Sequence, residues 1–169
     1  MLHEQRLCSL TTSSFAATAS HDEDTTSHAT RFVRRRREDG SIFLAVASYR
    51  DENCMRTLEG AYEKSGDPTK LNVGLTQQNC EKDCISGVLA GPKAFEKVDP
   101  DEDCYAVFCA GKWGDACDDG RVRVLKVNET ESLGPYFARF LGSKLWDGEE
   151  YYMQIDSHMT FADNWDVKR

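Results

Sequence analysis

The chain has 169 residues, 40% of them hydrophobic and 30% charged, with a mean hydropathy of -0.59. That balance can bury a core, which excludes whole-chain disorder and collagen, and no apolar run approaches the ~20 residues of a membrane span. The net charge of -8 makes nucleic acid an unfavourable partner, because phosphate backbones are repelled.

Residues 1–40 read as a disordered tail. They hold a Ser/Thr/Ala stretch from Ser9 to Ser20, an acidic patch at Asp22-Glu23-Asp24 and the run Arg34-Arg35-Arg36-Arg37, with neither period 2 nor period 3.6 sustained. The arginine run reads either as a nuclear-localisation or anionic-surface patch or, more simply, as a solvated linker. Basic and acidic residues balance here, so the whole negative excess falls on residues 41–169. An anionic substrate bound there needs a local remedy, either a cation or a placed arginine.

Order is expected from Ser41. The continuous apolar run from Ile42 to Tyr49 has strand length and suits a parallel strand buried on both faces. A helix with Met55, Leu58 and Tyr62 on one face follows, and Gly66-Asp67-Pro68 stops it. Leu71–Gln77 is a second strand, which completes a βαβ unit. Residues 78–120, rich in Cys, Asp, Gly and Pro, read as an irregular insertion. A third strand is expected over Val122–Val127. After it come Leu133, Tyr136, Phe137, Phe140, Leu141 and Leu145 at the spacing of an amphipathic helix. Tyr151–Ile155 forms a fourth strand that ends on Asp156-Ser157-His158. Alternating strands and helices predict an open α/β sheet with its ligand site beyond the carboxyl ends of the strands, where Ala47 to Asp51 and Asp156 to His158 share one rim.

Seven cysteines are many for this length, and the number is odd. No secretory leader pattern is visible, so free thiols and a cytoplasmic location are the expectation. The spacings Cys80-x3-Cys84 and Cys104-x4-Cys109 lack the paired form of a zinc ribbon. On a cytoplasmic protein the sequon Asn128-Glu129-Thr130 would be idle.

An Asp and a His two residues apart at a strand end can reach one divalent cation, and the imidazole shifts preference from Mg2+ toward Mn2+. The surroundings sharpen that pair. Ala47-Ser48-Tyr49-Arg50-Asp51, Gly134-Pro135-Tyr136-Phe137-Ala138-Arg139, Gly148-Glu149-Glu150-Tyr151-Tyr152 and Gln154-Ile155-Asp156-Ser157-His158-Met159 occur in that order. Together they resemble the protein N-acetylglucosaminyltransferase family, whose best-known member glycosylates a hydroxyproline on the adaptor subunit of SCF ubiquitin ligases. The motif order is also similar to that of the polypeptide N-acetylgalactosaminyltransferases.

The resemblance spans residues 41–169 and implies a Rossmann-like GT-A fold, a mostly parallel sheet flanked by helices. It implies a metal-dependent transferase that moves N-acetylglucosamine from UDP-GlcNAc to a protein acceptor with retention. By that resemblance Asp156 and His158 hold the metal, with Mn2+ or another divalent cation as cofactor. Ala47, Ser48, Tyr49, Arg50 and Asp51, with Asp156, contact the nucleotide sugar. Asp156 and Arg139 form the catalytic pair. Arg139 could equally form a salt bridge to an acid at the sheet end, and Tyr49 could pack in the core rather than stack on uracil. Thr160 stands where the family has Arg. The end at Arg169 leaves what looks like the donor-binding half of an enzyme truncated at its C-terminus. Two other readings stand beside it: a non-catalytic UDP- or metal-binding fragment, and a cysteine-rich interaction protein.

Overall fold

The computed structural model describes residues 36–87, 92–93 and 95–167. Of the expected tail, residues 1–35 lie outside that range. Residues 36–40 lie against the loop before the last strand: Arg36 Nε donates to the Glu150 carbonyl at 2.8 Å, Arg37 pairs with Asp147 at 2.8 Å, and Gly40 N donates to the Glu150 carboxylate at 2.7 Å.

Four strands form one parallel sheet: β1 (Ile42–Tyr49), β2 (Leu71–Asn79), β3 (Val122–Asn128) and β4 (Tyr151–Asp156), in the spatial order β3-β2-β1-β4. Ile42 pairs with Leu71 on one side and Tyr151 on the other, and Ala47 pairs with Asp156. β1 and β2 occupy the middle and are buried along nearly their whole length, which suits the continuous apolar run of β1, since a strand covered on both faces gains from apolar residues at every position.

Side chains alternate across a strand, so each face can be read separately. Leu44, Val46, Val73, Leu75 and Val122 lie in one cluster with helix α1 (Cys54–Glu63), α2 (Cys104–Ala110) and α3 (Gly114–Asp118). Leu58, Ala61 and Tyr62 of α1 and Phe108 of α2 are buried there, and Tyr62 packs on both Phe108 and Trp113. The segment after β4 returns along α1: Trp165 Nε1 donates to the Ala61 carbonyl at 2.9 Å.

The opposite face carries Phe43, Ala45, Gly74 and Thr76 and is covered by α4 (Pro135–Ser143), which packs on β1 and β2. This helix differs from its amphipathic expectation. Leu133 is 76% exposed, Tyr136 83% and Phe140 54%, while the buried residues of α4 are Ala138 and Gly142. The reason is steric. A Cβ on Gly142 would stand 3.2 Å from Thr76 Oγ1, and one on Gly74 would stand 2.2 Å from the Phe43 ring. Close helix–sheet approach therefore selects the small residues at the centre of the contact, while Phe137, Leu141 and Leu145 are half-buried and Leu133, Tyr136 and Phe140 turn outward. Beside them Arg123 lies over the Phe43 ring and donates to Glu149, whose side chain is fully buried.

Two further expectations are corrected. The stretch 78–120 is not wholly irregular: it holds α2 and α3, with the Asp103 carboxylate capping α2 by accepting from Ala106 N at 3.1 Å. Its cysteines are not free thiols either. Cys54 joins Cys104, Cys80 joins Cys84 and Cys109 joins Cys117, with Cα separations of 6.0, 5.7 and 5.8 Å, within the range a disulfide spans. Sequence spacing could not show that Cys54 and Cys104, 50 residues apart, meet where the N-termini of α1 and α2 converge. Among the described residues no helix is long and apolar enough to cross a membrane.

Candidate functional site

The chain runs β1, β2, β3 outward and then returns past β1 to place β4 on its other side. Helices α1 to α3 cover one face and α4 the other, so the connections switch faces at the β1–β4 boundary. In open parallel sheets a crevice opens at such a point, beyond the carboxyl ends of the two strands. A cavity of about 630 Å³ lies there, within the range of small-ligand sites. Ala47 and Tyr49 come to it from β1 and Asp51 from just beyond it, Asp156 from the end of β4 and His158 from the turn that follows, and Arg139 from α4.

Local structure sets each group. Arg50 adopts a left-handed backbone (φ +48°), which ends β1 and sends its guanidinium to the Asp101 carboxylate at 2.9 Å and the Ile85 carbonyl at 2.6 Å. The next residue, Asp51, accepts hydrogen bonds from Asn53 N at 2.9 Å and Ser157 Oγ at 2.6 Å, and its Oδ2 lies 2.9 Å from His158 Nδ1. Buried Thr57 of α1 fixes the turn after β4, donating to the Ser157 carbonyl at 2.7 Å and accepting from Met159 N at 3.0 Å. Burial raises the Asp51 pKa, but the bonds from Ser157, His158 and Asn53 outweigh it and hold the carboxyl below its usual 3.8. The hydrogen bond to Asp51, aided by the charges of Asp51 and Asp156, raises the His158 pKa above 6.5. Asp156 Oδ1 accepts from Arg139 Nη2 at 2.8 Å, a bridge from α4 to the end of β4.

Several groups on the cavity wall lack partners. Gln78 is 2% exposed; its Nε2 donates to the Ser48 carbonyl at 3.4 Å, and its Oε1 is buried without a hydrogen bond. Arg139 Nε and Glu129 Oε2 are buried and unpartnered in the same lining. Buried polar atoms are normally satisfied, and three of the six unpartnered side-chain atoms found among the described residues belong to side chains that line this cavity.

Of the residues singled out from sequence, Ala47, Tyr49, Asp51, Arg139, Asp156 and His158 meet in this cavity. Tyr49 is 54% exposed, so it lines the crevice rather than packing in the core. Ser48 and Arg50 lie outside the lining: Ser48 is buried, and Arg50 is held by Asp101 and Ile85. A neighbouring depression of about 460 Å³ borders Arg50, Asp101 and the Cys54–Cys104 disulfide. Its lining sets Asp51, Glu52, Asp101 and Glu102 against the one arginine, an acidic wall that repels a diphosphate and makes it the weaker candidate. Sequence reasoning missed Gln78, Glu129 and the Asp51–Ser157–His158 contacts. The polar pair Gln77-Gln78 near the carboxyl end of a central strand was the one signal available for Gln78.

Among the described residues no group of three or more His, Cys, Asp or Glu side chains is placed to hold a metal ion. Asp156 and His158 remain two donors on one wall. His158 faces a carboxylate through Nδ1, the arrangement that commonly orients a metal-binding imidazole and leaves Nε2 outward. Divalent cations at diphosphates often take only one or two protein ligands, the rest being phosphate oxygens and water. The donor set therefore fits such a cation.

The family described as Glycosyltransferase (GlcNAc) matches the chain over residues 41–169. No curated protein and no solved structure matches it.

Proposed function

The chain belongs to the glycosyltransferase (GlcNAc) family, and from that premise we propose that its crevice binds UDP-GlcNAc for sugar transfer to a protein hydroxyl, hydroxyproline included, with retention. In this reading the sheet is the nucleotide-binding half of a GT-A domain. The observation that carries it is the convergence of Tyr49, Asp51, Arg139, Asp156 and His158 on one crevice at the topological switch point.

Each residue then has a task. The exposed Tyr49 ring offers a stacking surface for the uracil, with Gln78, its partner across the strands, in the wall behind it. Arg139 bonds Asp156 through Nη2, and its half-buried guanidinium on the crevice wall places a fixed cation where the leaving diphosphate gains charge. Asp156 and His158 are the residues that would hold Mn2+ or another divalent cation, which when bound supplies further positive charge to the diphosphate. Asp51 keeps the His158 ring oriented. In a chain of net charge -8, an arginine and a cation together answer the electrostatic problem of a doubly charged ligand.

Calorimetry with UDP in Mn2+ and in EDTA, beside an assay of sugar transfer, tests this. UDP binding should depend steeply on the metal, and Asp156→Asn should weaken it at least tenfold, about 1.4 kcal/mol. UDP binding equally well in EDTA would remove the metal assignment. No UDP binding under any condition would remove the donor-site reading. Metal-dependent binding without transfer would identify a non-catalytic nucleotide-binding module.

A further inference from the structure

Six of the seven cysteines are joined in three disulfides, and the seventh, Cys8, lies outside the described residues. Disulfides of this density belong to chains that mature in an oxidising compartment, since cytosolic thiols are kept reduced. The expectations of free thiols and of a cytoplasmic location both came from the lack of a visible leader pattern, and the three disulfides count against both. In eukaryotes an oxidising compartment is also where N-linked oligosaccharides are added, so the sequon Asn128-Glu129-Thr130 has to be read again. No other Asn in the chain is followed at the second position by Ser or Thr.

The geometry around this sequon is open. Asn128 is the last residue of the edge strand β3, and its side chain is exposed. Its Oδ1 accepts from Thr130 N at 3.0 Å and from Thr130 Oγ1 at 2.6 Å. Among the described residues no hydrogen bond occupies its Nδ2, so a substituent there displaces no contact of the fold. Glu129 and Ser132 line the donor crevice but Asn128 does not, so a glycan on Asn128 would leave that crevice open. It would also sit at the end of an edge strand, where bulk and hydration discourage pairing with another chain.

We infer that this protein matures in an oxidising compartment and carries an N-linked oligosaccharide on Asn128. The bond forms between Asn128 Nδ2 and the anomeric carbon of an oligosaccharide carried on a lipid diphosphate. The sugar–phosphate C–O bond breaks, the lipid diphosphate leaves with the electron pair, and the amide gives up one proton. The modification goes beyond the transferase reading and stands or falls independently of it.

The test uses the full chain recovered from the cells that make it. Thiols are counted in the denatured, unreduced protein, and peptides are mapped by mass before and after an amidase that releases N-glycans and converts the linked Asn to Asp. The expected result is one thiol per chain and conversion of Asn128 to Asp on release of a glycan. Asn128→Gln and Thr130→Ala should each abolish the glycan, and Thr130→Ser should retain it, readouts that do not depend on how well a variant folds. Recovery of Asn128 unmodified overturns the glycan assignment whatever the thiol count, and seven free thiols overturn the compartment on which it rests.

Discussion

On one face of the sheet Leu44, Val46, Val73 and Leu75 meet Leu58, Tyr62 and Phe108 across α1 and α2; on the other, Gly74 and Thr76 meet Ala138 and Gly142 of α4. The first face excludes water by volume of hydrocarbon and is tied by disulfides. The second is thin and partly polar, with half-buried Arg123 paired to buried Glu149 and a helix that turns Tyr136 and Phe140 outward. The difference teaches where each job is done. A dry face supplies stability, and a face with little to bury can bring Arg139 and Gln78 to a cavity without partners for Nε and Oε1. Leaving such atoms unsatisfied costs stability, and the apolar face is what offsets it.

Unequal responses to substitution would sharpen that contrast. Phe108→Ala empties a fully buried ring site on the apolar face and should cost about 3–5 kcal/mol in chemical denaturation. Gly74→Ala presses a methyl toward the Phe43 ring on the thin face, where moving Phe43 disturbs Arg123; about 1–3 kcal/mol is expected by the same measurement. Tyr136→Ser, on the outward side of α4, should change stability by no more than about 0.5 kcal/mol. If Tyr136→Ser proved as costly as Phe108→Ala, α4 would be packed by its large residues after all, and the contrast between the faces would fail.

The same contrast explains what was legible in the sequence. β1 announces itself because a strand covered on both faces is apolar without alternation, β2 because Leu71, Val73 and Leu75 recur at period 2, and α1 because Leu58 and Tyr62 share the side it buries. The orientation of α4 was illegible: its period is amphipathic, but Gly74 and Thr76, some sixty residues earlier, decide which side fits. Helices α2 and α3 were hidden by a Cys- and Asp-rich composition, and their disulfides and the Asp103 cap are contacts of the folded chain rather than of neighbouring sequence. At the site, the strand ends Ala47–Asp51 and Asp156–His158 could be put on one rim from topology alone. The bonds from Ser157 and His158 to Asp51 join residues over a hundred positions apart, and no local spacing encodes them.

The central claim is that the donor sits at the switch point between β1 and β4, on the thin side of the sheet. Hydrogen exchange of the full chain with and without UDP-GlcNAc and Mn2+ tests it most directly, because ligand binding slows exchange where backbone opening is suppressed. The account predicts slowed exchange in residues 47–51, 134–139 and 156–159, with 104–118 unchanged. Protection confined to 104–118, around the Cys54–Cys104 and Cys109–Cys117 disulfides, would contradict it.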